Sequence, residues 1–463
     1  MKNSFSTINQ YLFIPVLLIL FSCNPVSQEQ GENKAMVKLI TLDPGHFHAA
    51  LVQKSMYAGV DSTVHVYAPE GNDLQLHLGR IEAFNKRTDS PTRWKEAVYS
   101  GNDYLEKMLA ERKGNVVVIA GNNEKKTTYI GASLQAGFNV LSDKPMAITP
   151  AGFDLLKKAF DTAKQKDLLL YDIMTERFEI TTILQRELSM IPGIFGVLEK
   201  GTAAHPAVIK ESGHCFYKYI SGNVLTRPAW FMDESQQGEG IVDVTTHLVD
   251  LVQWECFPGE SLDYTKDVGI ISAKRWPVNM TLSQFKTITK LDNFPSFLHK
   301  NLLNDTLLKV YSNSEINYQV RGVHARVSVI WEYQAPGGSD THYSMMRGTK
   351  ANLVVSQGAA NQYKTVLTIE PVVADPGYEK ELPAQLKNII AKYPGVALKK
   401  TSKGWEVVIP EKYKEGHEGH FARVMQNFLD YYKNRNMPAW EVPNMLAKYY
   451  TTTKALEVAL NKQ

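Results

Sequence analysis

The stretch Asn115–Pro145 constrains the fold more than any other part of the sequence. It opens with Val116–Ala120, a short run rich in β-branched residues that is typical of a strand buried on both faces. A helical pattern over Thr127–Ala136 and a second buried strand from Phe138 follow. Strand, helix and strand in this order predict a βαβ unit of a parallel sheet. Because ligands bind at the carboxyl ends of such strands, Lys144 is expected to lie in a functional site.

The composition is that of a globular chain with room for more than one domain. The chain has 463 residues, 44% of them hydrophobic, a size that fits two or three domains. It carries 51 basic and 48 acidic side chains, a net charge of +3 that gives no reason to expect a nucleic-acid partner.

The first residues are typical of a targeting segment and are excluded from the predicted fold. Residues 1–23 contain an apolar stretch too short to cross a bilayer and end in Leu-Phe-Ser-Cys. That ending resembles a bacterial lipobox, with Cys23 as the lipidated first residue of the mature chain. The alternative is an ordinary cleaved signal peptide. Residues 24–35 then form a polar tether, so we expect an exported lipoprotein, periplasmic or in the cell envelope, held at a membrane by its lipid anchor only.

The turn after the first predicted strand determines how a nucleotide could bind. Residues 36–42 are typical of a strand, and a dinucleotide-binding domain carries its G-x-G-x-x-G turn directly after it. Only the central glycine, Gly45, is present, and Asp43 and His48 occupy the outer glycine positions. Gly45 allows the backbone to approach a pyrophosphate, whereas His46 and His48 either contact the phosphates or fill space.

Other polar residues bear on the choice of nucleotide. Glu70 follows the predicted strand Thr63–Ala68 and is placed to bind a ribose 2′-hydroxyl, which favours NAD over NADP. Arg80 is either a partner for a 2′-phosphate or a solvated surface side chain. Asn122 and Asn123 are suited to contact ribose or nicotinamide, although turn chemistry alone explains asparagine there equally well.

Two motifs in this order resemble the signatures of a known family. Asp143-Lys144-Pro145 follows a buried strand and is similar to the E-K-P motif of the Gfo/Idh/MocA family, which includes glucose–fructose oxidoreductase and inositol dehydrogenase. Further along, Gly238–His247 resembles that family's Gly-rich turn followed by D-x-x-x-H. The resemblance covers residues 37–257. It implies a Rossmann domain that binds NAD(P), with Pro145 beside the cofactor, and a substrate that is a sugar, glycoside or polyol.

The resemblance also assigns the chemistry. His247 is the expected base for the hydroxyl proton, and Lys144 the expected electrostatic partner of the developing alkoxide. Asp243 lies one helical turn before His247, where its carboxylate would either orient the imidazole and raise its basicity or serve as a second acid. The alternative is that Asp243 and His247 are two solvent-exposed residues on one face of a helix, without a catalytic role.

Four further residues are predicted to line the substrate site. By analogy with the family, Tyr171 and Arg177 face the cleft, although an ion-paired arginine at a domain joint is equally ordinary. Trp230 offers an aromatic platform for a sugar ring or belongs to the core. His205 is a weaker candidate, as is Tyr217.

No metal site is predicted, because the sequence has no Cys-x-x-Cys and no His-x-x-x-His pattern. His417 and His420 are poor ligand candidates. Cys215 and Cys256 either pair, as an oxidising compartment would allow, or stay as two buried thiols, the outcome we favour.

The second half of the chain predicts a different architecture. Residues 36–175 form the Rossmann-type parallel-sheet domain, and 176–463 form an α+β domain with an open, mainly antiparallel sheet and terminal helices. Residues 332–339 are typical of a hairpin loop. In the family such a sheet commonly forms the subunit contact, which implies a homo-oligomer. The predicted strand regions are Phe195–Ala203, Val268–Ala273, Thr306–Tyr311, Ala325–Tyr333, His342–Arg347, Ala351–Ser356 and Lys399–Val408.

Three functions remain open from the sequence. The first is an oxidoreductase that acts on a carbohydrate hydroxyl with tightly held NAD, since a dissociating cofactor would be lost outside the cytoplasm. The second is a glycosidase or lyase that uses bound NAD with no net redox change. The third is a carbohydrate-binding lipoprotein that has lost the cofactor, as the missing glycines suggest.

Overall fold

The computed structural model describes residues 36–220, 223–334, 339–373 and 375–461. The predicted signal peptide, the lipidation site Cys23 and the tether 24–35 lie outside the described residues. Within the described ranges, every helix is too short or too polar to cross a membrane.

The first sheet is parallel throughout and has the strand order β3-β2-β1-β4-β5-β6. This is the doubly wound order of dinucleotide-binding domains, so the predicted Rossmann-type fold is confirmed. Strands β1, β4, β5 and β6 are buried along their whole length, which explains their continuous apolar runs. The strands are β1 (Leu39–Leu42), β2 (Thr63–Ala68), β3 (Lys95–Ser100), β4 (Val116–Ile119), β5 (Asn139–Asp143) and β6 (Leu170–Ile173). The helices are α1 (His48–Val52), α2 (Asn72–Lys86), α3 (Tyr104–Glu111), α4 (Lys126–Gln135) and α5 (Pro150–Gln165).

The second sheet has ten strands, nine of them in the order β10-β12-β13-β7-β14-β15-β16-β18-β17 and the short β11 paired to β12. All its pairs are antiparallel except β13 with β7, so the predicted mainly antiparallel sheet is confirmed. A separate hairpin is formed by β8 (Tyr219–Ile220) and β9 (Asn223–Val224). The strands of the large sheet are β7 (Val208–Cys215), β10 (Val268–Thr281), β11 (Leu302–Leu303), β12 (Leu307–Val320), β13 (Val323–Glu332), β14 (Thr341–Arg347), β15 (Ala351–Gln357), β16 (Val366–Pro371), β17 (Ala397–Lys400) and β18 (Trp405–Val408).

Eight further helices follow the first domain in the described part of the chain. They are α6 (Ile180–Ser189), α7 (Thr245–Cys256), α8 (Tyr264–Asp267), α9 (Leu282–Thr289), α10 (Pro376–Gln385), α11 (Lys387–Lys392), α12 (His417–Asn434) and α13 (Glu441–Leu460). Both sheets belong to one compact unit that begins at Met36. Phe421 and Phe428 of α12 and Tyr449 of α13 are buried in the core of the first sheet. The end of the chain therefore returns to the first domain.

Two sequence-based expectations about the second sheet are wrong. Residues 195–203 form no strand, only single bridges from Leu198 and Gly201, because Gly196 and Gly201 adopt left-handed backbone with φ of 77° and 63°. Residues 332–339 do not join two hairpin partners. The strands on either side of them, β13 and β14, both pair with β7, which the sequence analysis missed and which lies between them.

Candidate active site

A buried ion pair joins the two sequence motifs. Lys144 follows β5, and its Nζ donates to Asp243 Oδ1 at 2.6 Å, with both side chains only 8% exposed. Gln237 Nε2 donates to the other carboxylate oxygen of Asp243 at 2.9 Å. Both oxygens of Asp243 therefore have donors, and the Lys144 ammonium is held in one direction at the carboxyl end of β5.

The predicted pairing of Asp243 with His247 is not formed. Asp243 lies in the turn before α7, and its carboxylate is used by Lys144 and Gln237. The Nδ1 of His247 is buried and has no hydrogen-bond partner among the residues that the structure describes. Burial, and then the charge of Lys144, lower the pKa of His247 well below its usual value. His247 is therefore a neutral imidazole at neutral pH rather than one made more basic by Asp243.

The histidines of the first turn pair with the carboxylate at the end of β5. His46 Nδ1 lies 2.9 Å from Asp143 Oδ2, and His48 Nδ1 lies 3.1 Å from each carboxylate oxygen of the same residue. This pairing with Asp143 is one that the sequence analysis did not consider for either histidine. The two rings lock the turn after β1 to the end of β5. Although burial opposes ionisation, they hold the pKa of Asp143 well below its usual value.

Trp230 covers the one glycine that remains in the first turn. Its Nε1 donates to Asp73 Oδ2 at 2.7 Å. A Cβ added to Gly45 would lie 3.0 Å from that same oxygen and 3.2 Å from Trp230 Cζ2. The expectation of a free aromatic platform at Trp230 is therefore wrong, because its ring lies over Gly45 and is fixed by Asp73.

The two asparagines after β4 fasten the loop that carries the second motif. Asn122 Nδ2 donates to Gln236 Oε1 at 2.7 Å, and Asn123 Nδ2 donates to the Gln237 carbonyl at 2.7 Å. Their amide nitrogens are thus engaged by the protein itself and not turned toward a ribose. Asn123, Gln237, Asp243 and Lys144 form one continuous chain of hydrogen bonds between the two domains.

A cavity of about 250 Å³ lies at the carboxyl ends of β1 and β2. Glu70 lines it together with two other acids, Asp43 and Asp73. Burial raises the pKa of Asp43 and of Asp73. Acidic side chains at this position of a doubly wound sheet are able to accept hydrogen bonds from the hydroxyl groups of a ribose.

These observations test whether a nicotinamide dinucleotide fits the cleft. The cavity beside Glu70 fits the adenosine end, and Lys144 with the unpartnered Nδ1 of His247 provides polar groups at the other end. Between them, Gly45 leaves the backbone open to close approach, but Trp230 and Asp73 cover it. The residues fit the cofactor at both ends, and Trp230 is the side chain that has to give way in the middle.

Three residues predicted to contact substrate lie elsewhere. Arg177 is buried and donates to Asp250 Oδ1 and Oδ2 at 2.7 and 2.6 Å and to Glu441 at 3.0 Å. It therefore matches the alternative given for it above, an ion-paired arginine at a domain joint. Tyr171 is buried in the core of the first sheet. His205 is exposed and lies just before the start of β7. His214 lies near the end of that strand, and the strand between them is roughly 20 Å long.

The weaker candidate Tyr217 pairs with a neighbouring tyrosine. Its hydroxyl lies 2.8 Å from that of Tyr219. Cys215 and Cys256 are both thiols, the outcome that the sequence analysis favoured.

Several charged residues that sequence reasoning did not select lie close to one another, and one of them, Glu176, is within electrostatic reach of Lys144. Asp340 accepts from Lys218 Nζ at 2.9 Å and lies 3.3 Å from His214 Nδ1. Burial raises the pKa of Glu176, and the charges of His214 and Lys144 oppose that rise. These residues come from separate elements, so no spacing in the sequence marks them.

Comparison with known proteins agrees with this architecture. A family model described as "Oxidoreductase family, NAD-binding Rossmann fold" matches residues 74–171, and one described as "Putative oxidoreductase C terminal domain" matches residues 184–460. No curated protein matches the chain.

Solved structures give the same result. A crystal structure titled as a "putative oxidoreductase" from Parabacteroides merdae ATCC 43184 is 56% identical, with 93% of this chain and 99% of that chain covered and a TM-score of 0.91. Two more distant structures share the fold. Levoglucosan dehydrogenase in complex with NADH and levoglucosan is 13% identical, with 92% and 98% covered and a TM-score of 0.58. Biliverdin reductase from Synechocystis sp. PCC 6803 with biliverdin and NADP+ is 11% identical, with 91% and 98% covered and a TM-score of 0.54.

Proposed function

The chain belongs to the Gfo/Idh/MocA family of oxidoreductases, and from this premise we propose that it is an NAD-dependent oxidoreductase acting on a hydroxyl group of a sugar, glycoside or polyol. The observation that carries the proposal is the 2.6 Å Lys144–Asp243 ion pair beside the neutral His247 at the carboxyl end of β5. That placement is where a doubly wound sheet binds its ligands.

The roles follow from the charges of these groups. Neutral His247 is free to accept the proton of a substrate hydroxyl. The Lys144 ammonium, kept in place by Asp243, donates to the same oxygen and stabilises the negative charge that develops there. A bound NAD supplies the acceptor for the hydride. Glu70 and the cavity around it would hold the adenosine end.

The substrate class rests on the polar lining of the cleft. Glu176, His214, Lys218 and Asp340 provide donors and acceptors in positions that are partly exposed, which suits a ligand with several hydroxyl groups. The fold alone does not choose this class, because levoglucosan dehydrogenase and biliverdin reductase share it.

Tight retention of the nucleotide is part of the proposal. Trp230 lies over Gly45, and hydrogen bonds from Asn122 and Asn123 hold the loop that follows Trp230. For a nucleotide to reach Gly45, Trp230 has to move aside and break its hydrogen bond to Asp73, which would slow both entry and release. The acidic lining around Glu70 supports NAD over NADP.

A substrate screen tests the activity. Purified protein with NAD is mixed with a panel of sugars, glycosides and polyols, and NADH formation is followed by its near-ultraviolet absorbance. We expect turnover with at least one class, and a loss of roughly 10²–10³ in kcat for Lys144→Met. The matched control is Lys157→Met, since Lys157 is an exposed lysine paired with Asp154. Equal rates for Lys144→Met and the wild type would overturn the proposed role of Lys144.

We also propose that the chain is an exported lipoprotein attached through Cys23, and that it is a homo-oligomer through the second sheet. Metabolic labelling with a fatty acid tests the first part, and Cys23→Ala is expected to lose the label. Light scattering of the purified protein tests whether it is a homo-oligomer, and a monomer at all concentrations would refute that proposal.

A further inference from the structure

We propose that His46, His48 and Asp143 form a binding site for one divalent transition-metal ion of the Zn²⁺ type. One ligand atom from each of the three residues lies within 4.8 Å of the other two. The site adjoins Lys144 but uses none of the residues assigned above to proton transfer. The proposal concerns metal binding and stands independently of the proposed oxidoreductase activity.

The distances suit an ion of this size. Tetrahedral zinc has bonds of about 2.0–2.1 Å to nitrogen and oxygen, which places its ligands roughly 3.3 Å apart. His46 Nδ1 and His48 Nδ1 lie 2.9 and 3.1 Å from the Asp143 carboxylate. Each histidine nitrogen therefore needs to move only a few tenths of an ångström from the carboxylate to admit the ion, and all three ligand atoms already lie within 4.8 Å of one another.

The surrounding packing keeps the three groups in place. Asp143 is the last residue of β5, paired with β6, and is 1% exposed. The ring of His48 packs against Phe421 of α12 at 4.7 Å, and the ring of His46 packs against Phe47 at 4.7 Å. Because groups that are held by packing bind a metal with little loss of entropy, this is a rigid ligand set.

The chemistry of the set selects the kind of ion. Two imidazoles and one carboxylate suit Zn²⁺, Fe²⁺ or Cu²⁺, whereas Mg²⁺ and Ca²⁺ prefer oxygen ligands. Two lysines lie nearby, but Lys144 is neutralised by Asp243 and the Nζ of Lys126 donates to the main-chain oxygen of Asp143 at 3.2 Å. The carboxylate itself is therefore left to the histidines and the ion.

The site is open on one side. The His46 side chain is 19% exposed, whereas His48 and Asp143 are almost covered. Three protein ligands with an open position are typical of catalytic zinc, and four-ligand sites are typical of structural zinc. An ion here would lie next to Lys144 and could polarise a hydroxyl or carbonyl oxygen of a bound ligand.

The sequence analysis missed this site because it considered only Cys-x-x-Cys and His-x-x-x-His spacings. His46 and His48 are two residues apart on a turn, and the third ligand comes from a strand far along the chain. The turn that would wrap a pyrophosphate in a glycine-rich domain instead brings two imidazoles to Asp143.

Metal analysis tests the proposal without nucleotide or substrate. The full chain is purified without chelator for elemental analysis, then stripped with chelator and titrated with Zn²⁺ by calorimetry and with Co²⁺ by visible absorption. We expect about one equivalent per chain and a ligand-field band with Co²⁺. His46→Asn and Asp143→Asn should each weaken Zn²⁺ binding by roughly 100-fold or more and abolish the band.

The controls separate binding at this site from other effects. His299→Gln changes an exposed histidine remote from the cluster and should leave the affinity unchanged. Circular dichroism establishes that each variant is folded, and His48→Gln replaces any that is not. Wild type that takes up no ion, or variants that bind as tightly as wild type, would overturn the proposal. Nucleotide content is a separate measurement, so failure here leaves the proposed function untouched.

Discussion

The Lys144–Asp243 ion pair should stabilise the fold and support catalysis in separable ways. The two charged atoms lie 2.6 Å apart with each side chain 8% exposed. At an effective dielectric constant of about 20, such a contact corresponds to about 6 kcal/mol of attraction before desolvation is subtracted. Removing one partner leaves the other buried without compensation, so Lys144→Met and Asp243→Asn should each lower the free energy of unfolding by about 3–5 kcal/mol.

The double variant distinguishes the two effects. With both charges gone, no uncompensated ion is buried. The double variant should therefore lose about 2–3 kcal/mol less stability than the two single variants lose together. Turnover should not recover, because the ammonium that stabilises the alkoxide is still missing. Stability would be measured by urea denaturation at 25 °C and activity by NADH formation.

The exposed pair Lys157–Asp154 is the matched control. Its side chains are 37% and 65% exposed, so the same cycle there should give less than about 1 kcal/mol. Single variants at Lys144 and Asp243 that cost no more than this control would refute the argument from burial. A double variant with restored turnover would refute the catalytic role.

Three further predictions concern other parts of the molecule. Trp230→Ala removes the hydrogen bond to Asp73 that has to break before the side chain can move off Gly45, about 1.5–3 kcal/mol. Bound NAD should therefore exchange with free NAD roughly tenfold to a hundredfold faster, and an unchanged exchange rate would contradict this. Burial lowers the pKa of Lys126 from 10.5 to about 8. Between these two pH values the unfolded chain binds more protons than the folded chain, so the stability of the wild type should rise with pH across that window. Lys126→Met should therefore raise the free energy of unfolding at pH 7 by up to roughly 3 kcal/mol, minus the contribution of the hydrogen bond that is lost. In denaturation curves this gain should vanish above about pH 10.5. A gain that does not depend on pH would contradict the lowered pKa. Arg177→Met leaves buried carboxylates unpaired and should lower the free energy of unfolding by about 3–5 kcal/mol. In the folded protein it should change kcat less than twofold. A large loss of kcat would indicate that Arg177 contacts the substrate.

The parts of the fold that local sequence determines were predictable. Val116–Ile119 and the helix after it follow from periodicity, because each is a complete strand or helix signal within a few residues. Pairings between distant segments were not predictable in this way. Strand β7 lies between β13 and β14, which is decided by the burial of the whole sheet rather than by the loop at 332–339.

The same division holds at the candidate site. The motif residues Lys144 and Asp243 were selected from the sequence, and the structure brings them together. The partners of His46 and Trp230 were not foreseen, because Asp143 and Asp73 reach them only through the three-dimensional fold. A side chain's chemistry can be inferred from its type, whereas its partner depends on which elements the fold places side by side.

Identification of the nucleotide carried by the purified protein tests the central claim most directly. The protein is denatured, and the released small molecules are identified by mass spectrometry for NAD, NADH, NADP and NADPH. An oxidoreductase that retains its cofactor should release close to one equivalent of NAD or NADH per chain and little NADP. Protein that carries no nucleotide and also fails to bind added NAD would contradict the proposed function and favour a carbohydrate-binding protein built on the same fold.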